Sequence, residues 1–288
     1  VEDDPLRTPF KQGMNELGWV EGKNVEYRVL AADNDASRLD GLAREFIAQK
    51  VDVIFAGASL AVRAAQRATK TIPIVMAGVG DPVSLGFVAS LARPGGNITG
   101  IANLADELLA KLIQILNEIV PSARRVAIVL NETNPKAAAV IRTAARSACT
   151  ALGLSPIWVV ASEAAQLAVA VAQIVSQRAQ AVVLVADPLY VSERSRLQAL
   201  LLPTRLPVAC GHRDNVAAGG LLGYTSNFVA NFRYAAKFVD KILKGAKPAD
   251  LPVEQPTRFE LVVNLKTARA LGIKIPQIVM LRADEVIE

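Results

Sequence analysis

Val53-Ile54-Phe55-Ala56-Gly57-Ala58-Ser59-Leu60-Ala61-Val62-Arg63-Ala64-Ala65-Gln66-Arg67-Ala68-Thr69-Lys70-Thr71-Ile72-Pro73-Ile74-Val75-Met76-Ala77 is the stretch that decides the fold. Val53–Phe55 is a short apolar run, Ser59–Lys70 spaces its apolar residues as a helix does, and Ile74–Ala77 is apolar without a break. A pattern that switches from strand to helix and back over so short a span predicts a β-α-β unit with a right-handed crossover. The strand runs do not alternate with polar residues, so both faces of the sheet are covered by helices.

The same reading extends both ways. Upstream lie an opening helix around Pro9–Leu17, a strand over Asn24–Val29 and a helix over Ser37–Gln49. Downstream come a helix over Ser84–Leu91, the turn cluster Arg93-Pro94-Gly95-Gly96-Asn97 and a strand over Ile98–Ile101. A second series repeats the architecture without repeating the residues. Its helices are expected over Asp106–Ile119, Pro135–Leu152, Glu163–Arg178 and Val191–Leu201, and its strands over Val126–Leu130, Pro156–Val160, Val182–Val185 and Pro207–Ala209. Strand Leu221–Tyr224, helix Asn227–Lys244, a Pro-rich link Lys247–Pro256, strand Phe259–Asn264 and a short helix ending near Gly272 complete the chain. The fold class is α/β, with two doubly wound parallel-sheet lobes and a cleft expected between them. A doubly wound lobe ordinarily opens with a buried strand, whereas acidic Val1-Glu2-Asp3-Asp4-Pro5 stands where the loop after such a strand belongs.

Composition narrows the function. The 288 residues exceed the usual size of one domain, and 52% hydrophobic with only 5% aromatic residues means cores of Ala, Val, Leu and Ile. The net charge of +5 comes from lysines and arginines scattered over polar helix faces without aromatic partners, which argues against nucleic acid. Apolar stretches are strand-length, too short to span a membrane. No leader pattern is present, so the sequence is either cytoplasmic or already trimmed. Cys149 and Cys210 have no second Cys or His at metal-ligand spacing, so no metal is expected; Cys149 reads as a core residue, with a disulfide to Cys210 the minor alternative.

In open α/β sheets ligands sit beyond the carboxyl ends of the strands, where helix N-termini present unpaired N–H groups. That rule selects Gly57, Ala58 and Ser59; Gly80 and Asp81; Asn131 and Asn134; Asp187 with Tyr190; His212 and Asp214; and Tyr224. Ser59 is expected to cap its helix and aim main-chain N–H groups at a ligand carboxylate, with Gly57 allowing close approach. Asp81-Pro82 and Asn134-Pro135 read equally as ordinary helix starts. Asp187 and Asp214 are acceptors for a ligand ammonium or hydroxyl, although Asp187 can equally cap a helix. Tyr190 and Tyr224 offer an apolar wall with a polar tip, with core packing as the alternative. His212 is the only histidine and is not read as a catalyst. No nucleophile elbow, phosphate loop, dinucleotide fingerprint or metal-spaced cluster is present, and Gly78-Val79-Gly80 lacks a third glycine, so neither a catalytic residue nor a cofactor is assigned.

Several strings carry a resemblance: Phe10–Gly13 (FKQG), Gly18–Asn24 (GWVEGKN), Thr71–Val75 (TIPIV), Gly80–Val83 (GDPV), Leu91–Gly100 (LARPGGNITG), Ala217–Leu221 (AAGGL), Ile242–Val253 (ILKGAKPADLPV) and Phe259–Ala268 (FELVVNLKTA). With these the chain resembles the ABC transporter substrate-binding family that includes the tryptophan-binding TrpX-like proteins, of the type I periplasmic-binding fold. The resemblance implies three crossovers, near Gly100–Asn103, Tyr224–Asn227 and Pro252–Pro256. The lobes are then 1–101 with 226–252 and 102–225 with 253–288. It also implies hinge closure, a periplasmic or extracytoplasmic location, and delivery to a membrane permease. The resulting expectation is a non-enzymatic monomer that binds a small carboxylate-bearing solute, an amino acid (aromatic ones included) or related organic acid, without nucleic acid. A ligand-sensing regulatory core is the main alternative, and a hydrolase or isomerase on the same fold a further one.

Overall fold

The computed structural model describes residues 7–33 and 35–288; the expectation about Val1–Pro5 lies outside them. In chain order the elements are α1 (Arg7–Glu16), α2 (Leu39–Ala48), β1 (Ile54–Gly57), α3 (Ser59–Ala68), β2 (Ile74–Val79), β3 (Ile98–Ala102), α4 (Ala105–Ile119), β4 (Arg125–Leu130), α5 (Pro135–Ala151), β5 (Ser155–Val160), α6 (Leu167–Ser176), β6 (Ala181–Leu184), α7 (Pro188–Ser192), α8 (Arg194–Leu201), β7 (Val208–Cys210), α9 (Arg213–Ala217), β8 (Leu222–Ser226), α10 (Phe228–Leu243), β9 (Phe259–Asn264), α11 (Leu265–Leu271), α12 (Gln277–Met280) and β10 (Glu285–Ile287). The chain forms two compact units, one running to Leu104 and resuming over Ser226–Arg258, the other comprising Ala105–Thr225 and Phe259–Glu288. It therefore passes from one to the other three times.

The first unit holds a three-stranded sheet in the order β1-β2-β3, with parallel ladders. Ile74–Ala77 of the middle strand has no exposed surface, which is why that run is apolar without alternation. Phe10 of α1 stacks on Phe55 of β1 at 4.2 Å between ring centroids, and Phe55 meets Phe232 of α10 edge-on at 5.3 Å. The strand read over Asn24–Val29 is a correction: among the described residues it has no ladder, only an isolated bridge between Glu21 and Val25. The alternation was real, because Val25 and Tyr27 pack on the core while Glu26 and Arg28 face solvent; alternate packing of side chains does not require a paired backbone.

The helix expected over Ser84–Leu91 is also absent, replaced by a turn over Pro82–Gly86. Gly86 at φ +71° ends any helical path, and two of the turn's carbonyls are taken by side chains of α3. Arg63 donates to the Leu85 carbonyl and Gln66 to that of Gly86 at 2.8 Å.

The second unit carries a seven-stranded sheet in the order β10-β9-β8-β7-β6-β4-β5. The β4–β5, β4–β6, β6–β7, β7–β8 and β9–β10 ladders are parallel. β9 runs against β8. Asn264 at its end donates to Leu221 just before β8, while Phe259 at its start lies 6.1 Å from the Tyr224 ring late in β8. The lobe's sheet is thus parallel in all its other ladders, and a reversed pair beside a parallel block is common in such sheets. The helix expected over Val191–Leu201 is two helices, α7 and α8, parted at Glu193.

Cys149 and Cys210 are both buried free thiols, so the disulfide alternative falls. Burial pushes the Cys149 thiol up to about 11. The basic side chains do have aromatic partners, contrary to expectation. Arg142 and Arg146 lie 4.9 and 5.9 Å from the centre of the Trp158 ring, Arg63 lies 4.4 Å from that of Phe87, and Lys11 lies 4.7 Å from that of Tyr27. These are packing contacts within the chain, in which each cation covers an apolar ring. Among the described residues no helix is long and apolar enough to cross a membrane.

Candidate functional site

In the first unit the expected loops stand at the carboxyl ends of β1 and β2. The chain leaves β1 through Gly57 and Ala58, and Ala58 N–H donates to the Ala77 carbonyl of β2 at 3.0 Å. Ala58 has φ 92° and ψ 151°, a conformation that costs a residue with a Cβ on the order of 1–3 kcal/mol. It is also the N-cap of α3, and makes no side-chain cap bond. Ser59, expected as the cap, is instead the first helical residue; the left-handed turn falls one position earlier and pulls the helix start with it. By contrast, the helices just past β4, β6, β7, β8 and β9 are each capped by a side chain, from Asn134, Asp187, His212, Asn227 and Asn264. Alanine has no acceptor, so the first-turn N–H groups of α3 depend on a partner from elsewhere.

Gly80 and Asp81 follow β2. Asp81 Oδ1 accepts from Val83 and Ser84 N–H at 3.1 and 3.0 Å, so this carboxylate organises the turn after β2. Gly78 takes φ +68°, and a Cβ placed there would lie 3.5 Å from Phe228 Cε1 and 3.9 Å from Ala58 N. A Cβ on Gly57 would lie 3.0 Å from Phe232 Cζ. The two loops therefore lie directly on aromatic rings from the first turns of α10. Sequence reasoning missed Phe228. The available signal was an aromatic residue placed just after a strand end, at the start of a helix.

In the second unit the sheet order puts the ends of β4, β6, β7 and β8 side by side, and the loops meet there. Asn131 Nδ2 donates to Asp187 Oδ1 at 3.3 Å, and the same oxygen accepts from Leu189 N–H at 2.9 Å, capping α7. Burial pushes the Asp187 carboxyl above its ordinary range, against the lowering effect of those two donors. Asn131 Oδ1 holds Thr133, and Asn134 caps α5 through Ala137 N–H at 3.3 Å. Beside them Glu132 receives a two-pronged contact from Arg142, and its N–H donates to Ser162 Oγ at 2.9 Å. These residues were not singled out from sequence, since nothing in their spacing marks them.

His212 caps α9: its Nδ1 accepts from Asp214 N–H at 3.3 Å, which places the proton of the neutral ring on Nε2. Burial holds this histidine below its ordinary value, with Asp214 acting in the opposite direction. Tyr224 is half-buried against Phe259; burial first, then the Asp284 carboxylate, raises its phenol. Tyr190 leaves the candidate set. It has no exposed surface and donates its hydroxyl to the Ala161 carbonyl at 2.8 Å, as a core residue does. Gly211 joins the β6 and β7 loops main chain to main chain, since a Cβ there would sit 2.4 Å from Ala186 N.

Loops at the carboxyl ends of largely parallel sheets, in two α/β units linked by three passages of one chain, define the periplasmic-binding type I fold. A family model described as ABC transporter substrate binding protein matches residues 3–287, and the chain belongs to that family. Proteins of this kind are the extracytoplasmic components that bind small molecules for ABC permeases. The chain is 24% identical over 273 residues to the tyrosine-binding protein of Clostridioides difficile strain R20291, covering 94% of this chain and 77% of that one. Among solved structures it is similar to a conserved domain protein from Vibrio cholerae O1 biovar El Tor (26% identity, TM-score 0.93, 98% and 94% of the two chains). It is also similar to the ABC domain from Streptococcus pneumonia in complex with L-Trp (23% identity, TM-score 0.90, 99% and 95%).

Proposed function

We propose that this protein is a periplasmic or otherwise extracytoplasmic binding protein for a small carboxylate-bearing solute, an amino acid with aromatic ones in its range, which it hands to its permease unchanged. It works as a monomer and neither catalyses a reaction nor binds nucleic acid. The observation that carries the reading is the entrance to α3, a helix start held open by Ala58 at φ 92° and given no side-chain cap. Partial positive charge on its first-turn N–H groups favours an anion by about 0.3–1 kcal/mol when exposed and up to about 2 kcal/mol when partly buried. In the second unit Asp187, a half-buried carboxylate made costly by desolvation, is an acceptor suited to an ammonium group. The names of relatives that bind tyrosine and L-Trp support the same class.

A thermal-shift screen against amino acids, aromatic acids and sugars tests it. A true ligand at about one hundred times its Kd adds about 2.7 kcal/mol of stability, a shift of several degrees. If no carboxylate raises the melting temperature, the reading fails. Quantitative recovery of the bound compound after long incubation is the expected result for a carrier, whereas turnover points to an enzyme.

A further inference from the structure

Within the first unit, the three passages of the chain are tied to the end of one strand, β3. Ala102 N–H donates to the Glu254 carbonyl at 2.9 Å and Glu254 N–H to that of Gly100 at 3.0 Å, which holds the chain shortly before it leaves after Arg258. The next residue, Asn103, stands just ahead of the first passage at Leu104. Its N–H donates to the Val79 carbonyl at 2.5 Å, where β2 gives way to Gly80 and Asp81. Its side-chain Oδ1 accepts from Ser226 Oγ at 2.8 Å, and Ser226 is the residue at which the chain re-enters the first unit, two positions before α10 begins. Asn103 and Ser226 are only 6% and 1% exposed.

A buried hydroxyl–amide pair contributes little net stability, because folding exchanges one set of hydrogen bonds for another. Its geometry is nevertheless exacting, and the bond persists only while the two segments keep one alignment. Asn103 thus links the turn after β2, through its main chain, to the start of α10, through its side chain. The same turn is gripped from the other side by Arg63 and Gln66 of α3. We infer that Asn103 and Ser226 are positioning residues for solute binding: they couple the turn after β2 to the first and second passages, so that a solute at the entrance to α3 biases the path of the chain between the units. The coupling is independent of the solute's class; only its use in binding rests on the function proposed above.

The experiment is NMR relaxation dispersion on the solute-free unaltered protein, Ser226→Ala, Asn103→Leu and the double variant. It reads the Val83 and Ser84 N–H groups, which Asp81 holds, and the Ala230 N–H, which Asn227 holds. In each single variant the population of the minor state should rise about tenfold at all three amides, the size of one lost hydrogen bond. The double variant should show no further rise, because both substitutions break the same link. Ser226→Ala removes a single oxygen, so it stays interpretable if Asn103→Leu fails to fold. A rise confined to Ala230 in Ser226→Ala, no rise at all, or an additive rise in the double variant overturns the coupling. None of these outcomes touches the proposed function, since no solute is present. If the coupling is found and no amino acid binds, the coupling stands and the proposed function falls.

Discussion

Asn131 and Asp187 come from loops 56 residues apart, and their side chains meet at 3.3 Å beyond the ends of two neighbouring strands. The contact fixes the Asp187 carboxylate by one oxygen, which also holds the first turn of α7. On the proposed reading the other oxygen is the one offered to a solute.

Asp187→Asn separates the two jobs, because an amide oxygen can still cap α7 while the charge is gone. Affinity for an ammonium-bearing solute should fall about ten- to hundredfold, the size of a charge-assisted hydrogen bond. Melting temperature without ligand should hold or rise, since a charge that burial disfavours has been removed. Affinity in the unaltered protein should weaken as pH falls through the raised value of this carboxyl, because the protonated acid no longer attracts a cation. Titration calorimetry across the acid range reads both; unchanged affinity in the variant removes Asp187 from the site.

Ala58→Gly should stabilise the protein by about 1 kcal/mol or more, since glycine adopts φ 92° without cost. Solute affinity should change little, because the main-chain donors of α3 are untouched. Urea denaturation of the two forms decides this, and a destabilised variant would mean that the Ala58 methyl contributes packing larger than the backbone cost.

Gly211→Ala places a methyl group 2.4 Å from Ala186 N, a main-chain atom with little room to yield. The strands on either side must separate, at a cost of about 1–3 kcal/mol or more. Binding should fall along with stability, because the Asp187 loop begins at Ala186. A melting temperature equal to that of the unaltered protein contradicts the prediction.

His212 is held below its ordinary value of 6.5 chiefly by burial. The unfolded chain therefore takes up its proton at a higher pH than the folded one. Stability should be lost as pH falls from 6.5 through the lower folded value, and should be insensitive to this residue above that window. Comparing melting temperatures of the unaltered protein and His212→Asn from neutral to mildly acid pH isolates the effect. The asparagine keeps a capping acceptor, so its curve should be flatter. Parallel curves refute the assignment.

The architecture was legible because buried parallel strands leave an unmistakable mark: Ile74–Ala77 and Val126–Leu130 are apolar throughout, and the helices between them keep their own period. Reading failed where the deciding partner is distant in sequence. Nothing local to Ser84–Leu91 shows that Arg63 and Gln66 will take its carbonyls. Nothing in Val25 and Tyr27 shows whether the backbone between them finds a ladder. Placing candidate ligand loops at strand ends followed from topology, but the direction of a side chain around a short helix did not. Asp187 and Tyr190 lie within one turn, yet one faces the loops and the other the core. The cap of α3 was misplaced by one residue because alanine at a left-handed position is rare enough that composition does not suggest it.

The grip of α3 on the turn after β2 has a dynamic consequence. With the Leu85 and Gly86 carbonyls held by Arg63 and Gln66, the turn cannot open without loosening the face of the helix that carries those two side chains. Turn and helix should thus exchange their amide protons as one cooperative segment. A solute seated at the entrance to α3 would then slow exchange at Leu85 and Gly86 without touching either residue.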